Sequence, residues 1–143
     1  MNLKIKKLED DALIPTKGTA DSAGYDLYSY DNGVILPFEQ SLIGTKISMQ
    51  IPENFCGLIW SRSGLSSKYG IETGAGVIDC DYTGEIKIIL HNYSSKKFYY
   101  TKGMRIAQII ITPYISPKII ILNNEDTHPE SKRGNGGFGS TGI

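Results

Sequence analysis

Short β-branched and aromatic runs recur at close intervals along this chain, each cut off by Gly, Pro or Asn before it grows long. That punctuation leaves no room for a long helix and predicts an all-β barrel or sandwich. Residues 3–8 alternate and read as a strand, and a polar, Pro-containing stretch follows to Ser22. Residues 23–29 form a short strand carrying Asp26, and Asp31-Asn32-Gly33 marks a turn before residues 34–36. Residues 41–51 alternate, with Leu42, Ile47, Met49 and Ile51 expected in the core. Further strands are expected at 55–60, 86–92, 98–101, 105–111 and 117–122. Only residues 61–70 look helical: Ser63 could cap a single turn that Gly70 ends. Gly74-Ala75-Gly76 reads as a tight turn.

Composition narrows the function classes. A chain of 143 residues can bury one core, and no internal repeat or second domain is visible. Fifteen Lys+Arg balance fifteen Asp+Glu, which argues against a protein that coats nucleic acid or a membrane surface. The run from Ile106 to Ile111 is far too short to span a bilayer, and the N-terminus lacks an apolar signal core. An intracellular location, cytoplasmic or nuclear, is therefore expected. Cys56 and Cys80 make no disulfide framework, and no Cys/His cluster has zinc-ligand spacing.

Residues 133–143 have a different character. Five of the ten residues from Arg133 to Gly142 are glycine, yet the segment also carries Arg133, Phe138, Ser140 and Thr141. A Gly/Ser linker has no use for a guanidinium and an aromatic ring. Glycines let backbone N–H groups converge on an anion, hydroxyls and Arg add donors, and a ring can cover a planar base. The segment reads either as a disordered tail or as an arm that orders over a nucleotide.

Phosphate chemistry needs cations and N–H groups on the oxygens and a carboxylate to direct water. Candidates stand at strand ends and turns: Arg62 with Ser63 and Gly64, Asp79, Arg105 with Gln108, and Arg133 with Ser140 and Thr141. Each Arg taken singly is more often a surface ion-pair partner. Asp79 and Asp81 share a face if they lie on a strand; on a turn, either could cap backbone N–H groups.

Five segments, in order, carry a resemblance: AGYDLYS (23–29), SRSGLSSKYGI (61–71), GAGVIDCDYTGEI (74–86), GMRIAQI (103–109) and RGNGGFGSTG (133–142). The chain resembles the trimeric deoxyuridine triphosphatases (dUTPases) at all of that family's motifs, over roughly a third of its length. The resemblance implies a distorted jelly roll with one short helix (the β-clip-like dUTPase fold), spanning residues 1–132, with residues 133–143 as a closing arm. It implies a homotrimer with active sites shared between subunits. The implied reaction is hydrolysis of dUTP to dUMP and pyrophosphate, limiting uracil in DNA and supplying dUMP, with Mg²⁺ held mainly by the triphosphate rather than by the protein. Asp79 matches the aspartate that orients the attacking water, and Tyr82 the ring under the deoxyribose. Gly74, Ala75 and Gly76 match the hairpin backbone that reads uracil. Arg62, Ser63, Gly64 and Gln108 match phosphate contacts, and Arg133, Phe138, Gly139, Ser140 and Thr141 match the arm, with Phe138 on the base. Asp26 and Arg105 match supporting positions.

Three positions depart from the family pattern. Ser61 replaces a proline, which predicts a looser loop; Met104 replaces an aspartate; Thr73 leaves base recognition to the main chain. A dCTP deaminase on the same fold would need a carboxylate near the ring, where this chain has Ile89. A non-catalytic trimeric interaction module would not need Asp79, Tyr82 or the arm. Removing residues 133–143 is expected to leave a folded trimer with dUTP turnover severely reduced; pyrophosphate release by the truncated chain measures this, and normal turnover would refute a closing arm.

Overall fold

A computed structural model describes residues 1–137. Its strands are β1 (Lys4–Lys7), β2 (Tyr25–Tyr28), β3 (Gly33–Ile35), β4 (Gln40–Gln50), β5 (Phe55–Trp60), β6 (Ile71–Gly74), β7 (Val77–Ile78), β8 (Glu85–Asn92), β9 (Phe98–Tyr100) and β10 (Arg105–Pro113). Among the described residues a single helix, α1 (Ser63–Tyr69), interrupts them. One four-stranded sheet runs β1-β4-β8-β6, a second runs β2-β10-β5-β7, and β3 pairs with β9 alone. All pairings are antiparallel. The architecture is the all-β jelly-roll sandwich expected from the sequence.

Period-two alternation builds the core. On β8, Ile86, Ile88 and Leu90 are buried while Lys87 is exposed. Leu27, Ile59, Ile106 and Ile109 face them from the second sheet, and Ile35, Phe98 and Tyr100 close the end. Burying each large aliphatic side chain contributes about 1.5–3 kcal/mol, so the inward parity of the core strands is strongly specified.

The same parity corrects one expectation. Leu42 is 61% exposed, because Ile43, Thr45, Ile47 and Met49 point inward and Leu42 has the opposite phase. Partway along, β4 carries two extra residues against β8: Gly44 pairs with Lys87, but Ser48 pairs with Glu85. Lys46 takes a left-handed φ of 54° in this bulge. The Glu85 carboxylate fills the gap, accepting from the Lys46 N–H (3.0 Å) and lying 3.5 Å from its Nζ.

Three other expectations change. Arg62, not Ser63, is the N-cap of α1, and no side chain caps it; Gly70 ends it in the left-handed conformation as expected. Gly74-Ala75-Gly76 does not join a paired hairpin, since β6 pairs with β8 and β7 with β5. It is a corner where the chain leaves one sheet for the other, with φ of 54° at Ala75 and 129° at Gly76. Residues 117–122 form no strand; Ile119 and Ile121 are almost fully exposed, and a β-branched run without a neighbouring edge has nothing to pair with.

Asn92 is the most deeply buried polar side chain, at 1% exposure. Its Nδ2 donates to the carbonyls of Ile35 (3.1 Å), Leu36 (3.2 Å) and Lys96 (2.7 Å), and its Oδ1 accepts from Ser94 N (3.0 Å) and Oγ (2.8 Å). It ties the end of β8 to β3 and shapes the turn into β9. Asn92→Leu strands these groups without partners, and a loss of about 2–4 kcal/mol is expected in urea unfolding.

Candidate active site

β10 lies between β2 and β5, and its register aligns Gln108 with Asp26 on one side and Trp60 on the other. Ala107 and Ile109 are fully buried, so Gln108 faces outward. Asp26 sits between two guanidinium groups: Arg62 Nε donates to Oδ1 (3.0 Å) and Arg105 Nη1 to Oδ2 (3.4 Å). Arg62 Nη1 also reaches the Arg105 carbonyl (3.3 Å). Two of the five N–H groups of Arg62 are thereby engaged, which leaves three donors of its fork for another acceptor. Nothing lies within 4 Å of where a Gly64 Cβ would stand, so the backbone at this turn is open to a ligand.

Gln108 is fixed from two sides. Its Nε2 donates to the Ser61 carbonyl (3.0 Å), and its Oε1 would lie 2.5 Å from a Cβ at Gly24. The glycine of AGYDLYS therefore makes room for the glutamine of GMRIAQI. Ser61 is not loose, contrary to expectation. Its Oγ accepts from Thr73 N (2.9 Å), lies 3.3 Å from Thr73 Oγ1, and donates to the Glu72 carboxylate.

The Gly74–Gly76 corner stands beside the end of β5, where Ile59 N donates to the Gly76 carbonyl at 2.7 Å. A Cβ at Gly76 would lie 2.9 Å from the Ile59 carbonyl oxygen, so only glycine fits. An open cleft of about 360 Å³ runs between them, lined by Trp60, Ser61, Glu72, Thr73, Ala75 and Gly76 among others.

Asp79 and Tyr82 form a separate centre. Tyr82 N donates to the Asp79 carbonyl (3.1 Å), so these residues lie on a turn and not on a strand. Among the described residues, no hydrogen bond or ion pair engages the Asp79 carboxylate. Asp79 and Asp81 line a cleft of about 560 Å³ with Cys56, Cys80, Tyr114 and Ser116. Contact with Cys80, then partial desolvation and the nearby charges of Asp79 and Asp81, push the Tyr114 phenol up from its ordinary value. Tyr82 Oη donates to the Glu85 carbonyl (2.8 Å), and its ring folds over Gly84, where a Cβ would lie 2.6 Å from the hydroxyl. The ring is pinned, with 43% of the residue exposed.

The two centres do not meet within one chain. Ile78 pairs with Gly57, which places Asp79 near Cys56 at the start of β5. The arginine cluster follows Ser61 at its other end, roughly 16 Å along the strand. Arg133 is exposed and folds back on its own turn, donating from Nε to the Gly136 carbonyl (3.0 Å). Phe138, Gly139, Ser140 and Thr141 lie outside the described residues.

Residues 10–142 match the dUTPase family model. The chain is 45% identical over 141 residues to the deoxyuridine 5'-triphosphate nucleotidohydrolase of Kluyveromyces lactis, covering 99% of this chain and 94% of that one. It superposes on a mutant of the Staphylococcus bacteriophage 80alpha dUTPase with dUpNHpp at a TM-score of 0.87, with 31% identity and 99% of both chains covered. The dUTPase of phage phi11 of S. aureus, described with a structural Mg(II) ion, matches at a TM-score of 0.81 and 26% identity, over 87% of this chain and 99% of that one.

This chain belongs to the dUTPase family.

As a dUTPase it is a hydrolase of dUTP. Among the described residues no helix is long and apolar enough to cross a membrane. Sequence reasoning overlooked Glu72, Gly24 and Gly84. The glycines lie inside two of the quoted motifs, and two serine hydroxyls, from Ser61 and Ser66, donate to Glu72. Asp26→Asn removes the charge that directs Arg62 and Arg105. The expected outcome is a folded protein whose KM for dUTP rises about tenfold, equivalent to roughly 1.4 kcal/mol, measured by steady-state pyrophosphate release.

Proposed function

We propose that the chain hydrolyses dUTP to dUMP and pyrophosphate by water attack on the α-phosphorus, in sites each assembled from several copies of the chain. The observation that carries this reading is the division of the chemistry. A carboxylate, a water and the attacked phosphorus must meet within about 3–3.5 Å. Asp79 lies roughly 16 Å of strand from the segment that offers guanidinium and backbone donors. A copy placing its arginine cluster against another copy's Asp79 turn joins them.

Exposed apolar surface supports the same assembly. Ile115, Ile119, Ile120 and Ile121 are each at least 74% exposed, and Trp60 and Val77 flank the cleft at the corner. Large apolar side chains exposed in this number favour an interface. A homotrimer fits this reading, with residues 1–132 as the folded body and residues 133–143 as the arm over a neighbouring site.

Within a site, Asp79 holds the attacking water and accepts its proton. Arg62, Ser63 and Gly64 bind the phosphate oxygens with Gln108 beside them, and Asp26 and Arg105 hold Arg62 in place. Main-chain groups at Gly74, Ala75 and Gly76 meet the uracil edge. Tyr82 stands against the deoxyribose where a 2′-hydroxyl would need room. In the arm, Arg133, Phe138, Gly139, Ser140 and Thr141 cover base and phosphates. The carboxylates of Asp79 and Asp81 suit a hard oxygen-bound cation, and the reading has Mg²⁺ held mainly by the substrate triphosphate. When bound, it spreads the charge that builds on the leaving pyrophosphate. Ile89, whose Cγ2 would lie 2.9 Å from a Gly74 Cβ, offers no proton at the corner and gives no support to deamination.

Asp79→Asn is expected to lower pyrophosphate release from dUTP by ~10²–10⁴-fold while nucleotide binding persists. A panel of dUTP, dCTP, dTTP and UTP, run with the solution mass, tests substrate and assembly together. Ammonia from dCTP, or a monomer at full activity, would overturn the reading.

A further inference from the structure

α1 is poorly equipped to hold its own position. It has seven residues, no side-chain cap, no acidic residue in its first turn, and only Leu65 buried. A helix that short depends on tertiary tethers. Yet residues 62–64, at its start, are the ones read above as gripping phosphate.

The tether is Glu72 on β6. One carboxylate oxygen accepts from Ser61 Oγ and the other from Ser66 Oγ. Ser61 directly precedes the gripping segment and Ser66 lies on α1, so one carboxylate brackets it from both sides. The direction of each bond is fixed. Thr73 N already donates to Ser61 Oγ, so the serine's own proton turns to Glu72. The hydroxyl bonds, from Ser61 first and then Ser66, hold the Glu72 carboxyl below the usual carboxylate range, so it is an acceptor at neutral pH. Among the described residues no cation pairs with Glu72. The Ser61 carbonyl is held in turn by Gln108.

We propose that Glu72 is a positioning residue for phosphate: through Ser61 and Ser66 it sets the direction in which residues 62–64 present their donors, and it couples that direction to the corner at residues 74–76. The inference rests on the reading that residues 62–64 bind the triphosphate. Ser61, which marks this chain's departure from a proline, is then a polar replacement for ring rigidity.

dUMP lacks the outer phosphates and separates positioning from general scaffolding. Glu72→Ala should raise KM for dUTP about tenfold while inhibition by dUMP changes less than about twofold. Ser61→Ala/Ser66→Ala should reproduce that shift, and adding Glu72→Ala to the pair should worsen it no further, since all three side chains form one unit. Glu72→Gln, which keeps an acceptor oxygen, should fall between, and it carries the test with the serine pair should Glu72→Ala fail to fold. Equal loss of dUTP and dUMP affinity, or an unchanged KM, overturns the proposal. Arg62→Ala run alongside tells the failures apart. If it weakens dUTP and the Glu72 variants do not, only the positioning role falls; if Arg62→Ala has no effect, the phosphate reading falls and the Glu72 role with it.

Discussion

The double pairing of β10, with β2 on one edge and β5 on the other, is the constraint on which the arginine half of the site depends. It puts Asp26, Gln108 and Trp60 in one row across three strands. Two guanidinium groups drawn together repel each other; one carboxylate between them leaves a single net positive charge and fixes the direction of both. The row is held by what lies beneath it. Ala107 and Ile109 are buried on the opposite face, so a one-residue slip would drive Gln108 into the core and expose isoleucine. The apolar side of the strand therefore decides the geometry of its polar side.

Most strands were legible because their chemistry is local. The β-branched run of β10 and the alternation of β8 announce themselves, as does the glycine that ends α1. What failed depended on partners. Leu42 looked like a core residue because the phase of β4 is set by neighbours and by a bulge at Lys46, a non-glycine residue with positive φ that no propensity signals. Residues 117–122 have strand composition but no edge to join within the described residues. Glycines at 74 and 76 said where the chain bends, and not that it changes sheet there. For the site, the motifs marked the residues proposed above for direct chemical roles. Glu72 stayed hidden because its meaning lies in Ser61 and Ser66, eleven and six residues away, which meet it only once β6 folds back beside α1.

The two halves of the site are stabilised in different ways. The arginine cluster rests on ion pairs and side-chain hydrogen bonds between strands. The Asp79 turn rests on backbone and packing: its own 3.1 Å hydrogen bond, the Tyr82 ring over Gly84, and the Tyr82 hydroxyl on the Glu85 carbonyl. Salt screens partly exposed ion pairs, whereas it leaves a ring packed on a glycine unaffected. Ionic strength thus acts on the arginine cluster more than on the Asp79 turn.

Glu85 carries the second half back into the sandwich. Its carbonyl holds Tyr82, while its side chain replaces the ladder contacts that the β4 bulge has lost, through Lys46 N and Nζ. A Cβ at Gly44 would lie 2.7 Å from that carboxylate, so the bulge, the glycine and the glutamate require one another. The defect in β4 consequently reaches the ring read as the sugar platform in only two bonds. In each half of the site, an acidic residue with no proposed chemical step holds groups proposed to perform one: Glu72 through its carboxylate at the phosphate segment, and Glu85 through its backbone carbonyl at the tyrosine. An acidic side chain on a strand of this fold therefore acquires its role from the hydroxyls and N–H groups that the topology brings to it, and its charge alone does not mark it as catalytic.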